Sequence, residues 1–380
     1  MVKVGIENLD LYLDLFTHKR VGLITNPTGV DHQFKTTIDL LSEKTHLTTL
    51  FSPEHGIRGD LQAGVTLDSY RDEQTSSMVY SLYGQTKKPT KDMLTEVDVL
   101  CFDIQDVGAR FYTYVVTLAY ALEAAKRYGK HMVVFDRPNP LGGIEVEGNI
   151  LDLKYQSFVG YHPIVQRYGL TIGELALMMN DAFHIGATLT VVPMTGYTRS
   201  MHYIDTKRHW VLPSPNIPTP QTVYAYLATC LFEGTNVSEG RGTTKPFEWI
   251  GAPWLKSEEV IRLLRSEGLP GVDFRSLHFQ PSFSKYANQL CHGIEIHVTD
   301  RFAFKPVRTG FALLHHIRHL HEAFLFLPPY KMGSHPMIKL LTGGDFIVAN
   351  DLDLGNLFEH LSQDEKSFKT IKERYHLYDL

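Results

Sequence analysis

Short apolar runs recur through the first half of the chain, separated by longer stretches in which apolar positions return every third or fourth residue. The runs are 21–25 (VGLIT), 47–51 (LTTLF), 97–102 (VDVLCF), 132–135 (MVVF) and 189–192 (LTVV). All are rich in Val, Leu, Ile and Phe with little polar alternation, the pattern of strands buried on both faces of a parallel sheet. Between them, 111–128 (FYTYVVTLAYALEAAKRY) has helical spacing and ends in Lys126 and Arg127 before Gly129, a C-terminal stop. A second helix is predicted over 172–183, opened by Thr171 with Glu174 three residues on, the pattern of a capping box. Strand–helix alternation of this kind implies βαβ crossovers and a doubly wound, Rossmann-like α/β layer.

The second half reads differently. Segment 210–220 (WVLPSPNIPTP) holds four prolines, which excludes a regular helix or a central strand and predicts a rigid extended connection. Beyond it the pattern predicts a helix over 222–231, a glycine-rich loop at 233–243, a strand at 293–298 (GIEIHV) and a helix over 310–326. A domain boundary falls near Pro220.

Composition narrows the class. With 380 residues, 43% of them hydrophobic and 21% charged, the chain can bury a large core without a metal or disulfide staple. A net charge of −5 argues against a nucleic-acid binder, which usually carries a basic patch. Cys101, Cys230 and Cys291 form no CxxC pair and read as reduced thiols. Acids interrupt the apolar N-terminal stretch, and no 18-residue uncharged apolar window exists. A cytoplasmic protein with neither signal peptide nor membrane span is therefore expected.

Polar clusters follow the proposed strands directly: Asn26-Pro27-Thr28-Gly29, Ser52 to Gly59 (SPEHGIRG), Asp103 to Arg110 (DIQDVGAR) and Asp136 to Pro140 (DRPNP). In open α/β sheets, ligands sit beyond the carboxyl ends of the strands, so this edge marks the candidate site. Its chemistry is carboxylates, amides and guanidiniums. No GxSxG elbow is present, and no GxGxxG follows the first strand, so neither a serine nucleophile nor a dinucleotide is expected. The stretch 234–243 lacks the Gly-Lys-Ser/Thr ending of a phosphate loop. His315 and His319, one turn apart, suit zinc, but no third ligand stands at a fixed spacing and Arg318 lies between them. A solvated helix face is the better reading, and neither metal nor cofactor is expected.

Paired acids are what glycoside hydrolysis requires. Glu54 is the best placed, held between Pro53 and Gly56 at a strand end, although capping a helix or pairing with Arg58 would also account for it. Asp103 and Asp106 suit helix capping as well as a site. Arg110 and Arg137 suit a substrate carboxylate or an internal ion pair equally. Tyr112 and Tyr114 open a helix and read as core residues. Glu174 has a capping role from its position alone, and Glu233 and Glu239 flank a loop carrying Asn236 and Arg241.

The motifs SPEHGIRG (52–59), FDIQDVGARFYTY (102–114), FDRPNPLGG (135–143), YGLTIGELA (168–176), PSPNIP (213–218), LFEGTNVSEGRGT (231–243) and KYANQLCHGIEIHVTD (285–300) stand together in this order. In this set the chain resembles the NamZ-type exo-β-N-acetylmuramidases, glycoside hydrolase family 171, over essentially its whole length. The resemblance implies an exo-acting glycosidase that removes β-1,4-linked N-acetylmuramic acid from the non-reducing end of peptidoglycan fragments, with no cofactor. It also implies a Rossmann-like catalytic domain (1–220) and a smaller α+β domain (221–380) closing a cleft.

Carried over, Glu54 is the catalytic acid, with Glu147, Glu174 or Glu239 as its partner. Asn26, His55, Asp103, Gln105, Asp106, Tyr112, Asn139, Asn216, Glu233, Asn236 and Arg241 would then shape the sugar pocket. Arg58, Arg110 and Arg137 are candidates for the lactyl carboxylate. Tyr168 stands where the family pattern leads one to expect histidine. A non-catalytic muropeptide-binding protein and a transferase or esterase on the same scaffold are the competing readings.

Overall fold

The computed structural model describes residues 1–54, 56–57, 69–72, 74–84, 86–349 and 353–380. The five apolar runs become β1 (Arg20–Thr25), β2 (His46–Ser52), β5 (Val99–Asp103), β6 (His131–Phe135) and β7 (Leu189–Val192). With β3 (Tyr70–Arg71) and β4 (Met78–Ser81) they form a sheet in the order β3-β4-β2-β1-β5-β6-β7. Every described pairing in it is parallel except β3 with β4.

The strands are apolar at consecutive positions because helices cover both faces. In β5, Leu100 and Phe102 point into one core with Leu118 and Leu122 of α2 (Thr113–Arg127) and Leu175 of α3 (Ile172–Ala182). Val99 and Cys101 point into the other, with Ile38 and Leu41 of α1 (Thr37–Lys44) and Leu9 of a 3-10 helix (Gly5–Phe16). This is the doubly wound, Rossmann-like layer, with its strand order reversing between β1 and β5.

The prolyl segment differs from its expected extended form. Trp210 Nε1 donates to Ile217 O at 3.1 Å and Ile217 N to Ser214 O at 3.1 Å, so the chain folds back on itself. Pro220 then occupies the first turn of α4 (Pro220–Thr229), where its missing N–H costs nothing, with Thr219 as the N-cap. A smaller antiparallel sheet follows, ordered β8-β10-β9 from β8 (Trp249–Ala252), β9 (Val272–Phe279) and β10 (Cys291–Val298). It packs with α4 and α5 (Ser257–Ser266), against which α6 (Pro306–Leu320) lies in turn.

The last two helices, α7 (Met337–Thr342) and α8 (Leu354–Lys372), carry the chain back toward the first layer. Lys372 Nζ reaches Gly143 O and Gly169 O at 2.7 and 2.8 Å, and Leu377 N donates to Glu174. One continuous apolar core therefore runs from α2 and α3 through α4 to α6 and α8. Among the described residues no helix is long and apolar enough to cross a membrane.

Candidate active site

After Ser52 the chain leaves β2 through a tight turn in which Gly56, at φ 83°, donates to Pro53 O. This turn presents Glu54 to the start of α2. The Thr113 hydroxyl, at the N-terminal end of that helix, donates to Glu54 Oε2 at 2.9 Å. The Tyr114 hydroxyl lies 3.2 Å from Glu54 O and 2.9 Å from Pro213 O, which ties the turn to the folded-back prolyl segment. Tyr83 stands beside Glu54; burial, reinforced by that carboxylate, pushes its hydroxyl up to about 12. Lys87 completes this wall, with its ammonium 3.7 Å from the Phe158 ring centroid and 5.4 Å from that of Tyr83. Burial lowers the Lys87 ammonium below the ordinary lysine range, against the opposing pull of Glu54.

The facing wall comes from a 3-10 turn (Cys230–Gly234) and the glycine-rich loop after it. Glu233 Oε1 accepts from Arg241 Nη2 at 2.7 Å, and Arg241 Nε lies 3.3 Å from Glu239. Lys285 Nζ holds Glu239 at 2.8 Å while donating to Phe232 O and Val237 O. Burial raises the Glu233 carboxyl above its ordinary range; Arg241 opposes this and the charge of Glu239 reinforces it. The two walls enclose a cleft of about 310 Å³ lined by Glu54, Lys87, Tyr112, Asn216, Glu233 and Arg241 among others. Aromatic edges close its floor, Tyr112 and Phe247 each meeting Tyr226 at centroid distances of 5.8 and 4.7 Å. Two carboxylates of unlike surroundings facing an aromatic-lined hollow of this size suit acid–base chemistry on a sugar.

The remaining predicted residues that the structure describes lie elsewhere, and each has an internal partner that accounts for it. Glu147 is fully buried, pairing with Arg167 at 2.8 Å and accepting from Val307 N, so it does not line the cleft. Glu174 closes the capping box of α3 and bonds Arg199, equally sealed from solvent. Glu239 is 2% exposed, behind Arg241 rather than in the cleft wall. Asp103 takes Arg137 bidentately and the Thr37 hydroxyl, which occupies both groups.

Arg110 donates to the carbonyls of Asn149, Ile164, Leu341 and Thr342, a clamp between the first layer and α7, and burial lowers it to about 9. These contacts leave neither arginine facing a substrate. Gln105 bonds two backbone carbonyls, Asn139 bonds Leu170 O and Leu141 N, and Asn26 bonds Thr28. Asn236 staples its loop to Ala323 and Leu325. Asp106 accepts from Gly108 N and from the Tyr168 hydroxyl, and burial pushes it up to about 7. Tyr168 itself is fully buried. His55 and Arg58 lie outside the described residues.

Tyr83, Lys87, Thr113, Phe158 and Ser214 line the cleft without having been singled out. Thr113 and Ser214 sit inside quoted motifs, so their neighbourhood was visible. Lys87 lies in an aperiodic polar stretch that offers no signal.

The N-terminal model of the family described as "Exo-beta-N-acetylmuramidase NamZ" matches residues 21–221, and its C-terminal model matches 224–378. The chain is 49% identical to the peptidoglycan β-N-acetylmuramidase NamZ of Bacillus subtilis (strain 168), over 99% of this chain and 91% of that one. Among solved structures it is similar to two DUF1343 family proteins from Bacteroides fragilis NCTC 9343, at TM-scores of 0.90 and 0.81 with 36% and 31% identity. Each match covers 100% of this chain and 99% of the other. The chain therefore belongs to the NamZ exo-β-N-acetylmuramidase family.

Proposed function

We propose that this protein is an exo-acting glycoside hydrolase that releases β-1,4-linked N-acetylmuramic acid from the non-reducing end of peptidoglycan fragments. The observation that carries the reading is the cleft itself: in a chain of this family, Glu54 and Glu233 line one hollow from opposite walls. Glu54 protonates the leaving glycosidic oxygen as the C1–O bond breaks, a step worth about 10²–10⁴ in rate. Thr113 holds that carboxyl at a fixed angle. Glu233, kept in place by Arg241, faces the oxocarbenium-like C1 as the second carboxylate. Water supplies the oxygen that ends on C1, and its proton leaves through a carboxylate.

The lactyl carboxylate that marks muramic acid calls for a cation. Arg241 and Lys87 are the cations among the described cleft-lining residues. Arg241 already holds two carboxylates, which leaves Lys87 as our assignment. We take residues 1–220 as the catalytic domain and 221–380 as the smaller domain that completes the cleft through Glu233 and Arg241.

The test is product analysis by mass spectrometry after incubation with a disaccharide of β-linked N-acetylmuramic acid on N-acetylglucosamine. Free, unmodified N-acetylmuramic acid is the expected product; intact disaccharide, or a transferred muramyl group, would refute the reading. Cytoplasmic work on imported fragments is a separate proposal, which predicts the activity in the lysate of fractionated cells and not in the medium.

A further inference from the structure

Beside the cleft lies a second, wider hollow of about 660 Å³, bounded by the folded-back prolyl segment, the end of the glycine-rich loop, β8 and the chain leaving β9. Asn216 belongs to the walls of both hollows, so the two adjoin at that residue. The loop that carries Arg241 on the cleft side presents Thr244 to the other. Along this groove stand two aromatic surfaces, Trp249 half-buried and Phe283 51% exposed. Asn216 and Gln280 supply amides.

Among the described residues, His278 is the single ionisable side chain in its lining. Flat apolar rings interleaved with amides match the apolar faces, hydroxyls and acetamido groups of N-acetylhexosamines. An uncharged groove matches the charged stem peptide of peptidoglycan poorly, because buried carboxylates and ammoniums need partners. The exposed Phe283 ring is itself a reason to look for an occupant, since large exposed apolar groups tend to mark interaction sites.

We infer that this groove is the aglycone site: it holds the neutral N-acetylglucosamine unit, and the glycan beyond it, on the reducing side of the scissile bond. The inference rests on the muramidase reading. It adds that the enzyme selects glycans over small β-muramides through contacts with the sugars on the leaving-group side of the scissile bond.

Phe283→Ala and Gln280→Ala, both at exposed positions, test it by comparing kcat/KM on a chromogenic β-N-acetylmuramide with kcat/KM on peptide-free glycans of two and four sugars. About a tenfold loss on the glycans is expected, the worth of one aromatic contact, with the chromogenic substrate cleaved at the wild-type rate. Equal change on both substrates, or on neither, would overturn the inference while leaving the muramidase reading standing. So would a loss confined to fragments that carry stem peptide, which would assign the groove to the peptide. A wild-type enzyme inactive on every one of these substrates brings down the muramidase reading, and the aglycone site with it.

Discussion

Two sets of acids occupy this molecule. At the carboxyl edge of the parallel sheet, Asp103, Asp136 and Glu174 are all 0% exposed, and Glu147, close by, is 1% exposed. All four are saturated: Asp136, for instance, accepts from Arg137 N, Thr171, Gly173 N and Tyr378. In the cleft, Glu54 and Glu233 are half-buried and line one hollow. Buried carboxylates must be paired or they cost several kcal/mol, so the first set knits loops together. The reversal of strand order between β1 and β5, where ligands commonly bind, is filled by this internal network of Thr25, Asn26, Asp103 and Gln105. The candidate cleft lies to the side, where Glu54 beyond the end of β2 meets the start of α2.

This contrast makes separable demands on stability and rate. The largest effect belongs to the sealed set. Glu147→Gln leaves Arg167 uncompensated in the interior and should cost about 3–5 kcal/mol of stability in a urea titration. The rate per folded molecule should hold. A collapse in rate at full stability would place Glu147 in the chemistry and erase the distinction.

In the cleft the signature inverts. Glu233→Gln should lower kcat on the order of 10²-fold with an unchanged melting midpoint. Its environment also fixes a pH dependence. The folded-state carboxyl is raised, so the active anion is lost on acidification at a higher pH than an ordinary glutamate would dictate. Glu239→Gln removes a like charge and should move that acidic limb of the rate profile to lower pH. Movement to higher pH would show that Glu239 acts otherwise.

A smaller effect concerns the sugar's identity. Lys87→Met should weaken inhibition by free N-acetylmuramic acid about 10- to 100-fold, the worth of a charge-assisted hydrogen bond, and leave inhibition by N-acetylglucosamine unchanged. Equal weakening of both would reduce Lys87 to support for the Phe158 ring.

The sheet was legible because burial on two faces writes itself as uninterrupted apolar runs; the short strands β3 and β4 at one side of the sheet leave no such trace. The place of Glu54 on a tight turn at the end of β2 was legible because proline and glycine fix that turn. The second carboxylate was not. Glu147 and Arg167 are 20 positions apart, Glu174 and Arg199 are 25, and Asp103 and Arg137 are 34. A sequence displays each charge and conceals the partner that neutralises it. Glu233 was visible as one acid of a glycine-rich motif, but its exposure to the cleft depends on a loop held by Lys285, 46 positions beyond Glu239.

The most direct test is of Glu54. Rates of N-acetylmuramic acid release from the β-linked disaccharide, measured for the wild type and Glu54→Gln alongside their thermal midpoints, weigh it in one experiment. The prediction is a fall of about 10²–10⁴-fold in kcat at an unshifted midpoint. A variant as fast as the wild type would contradict it.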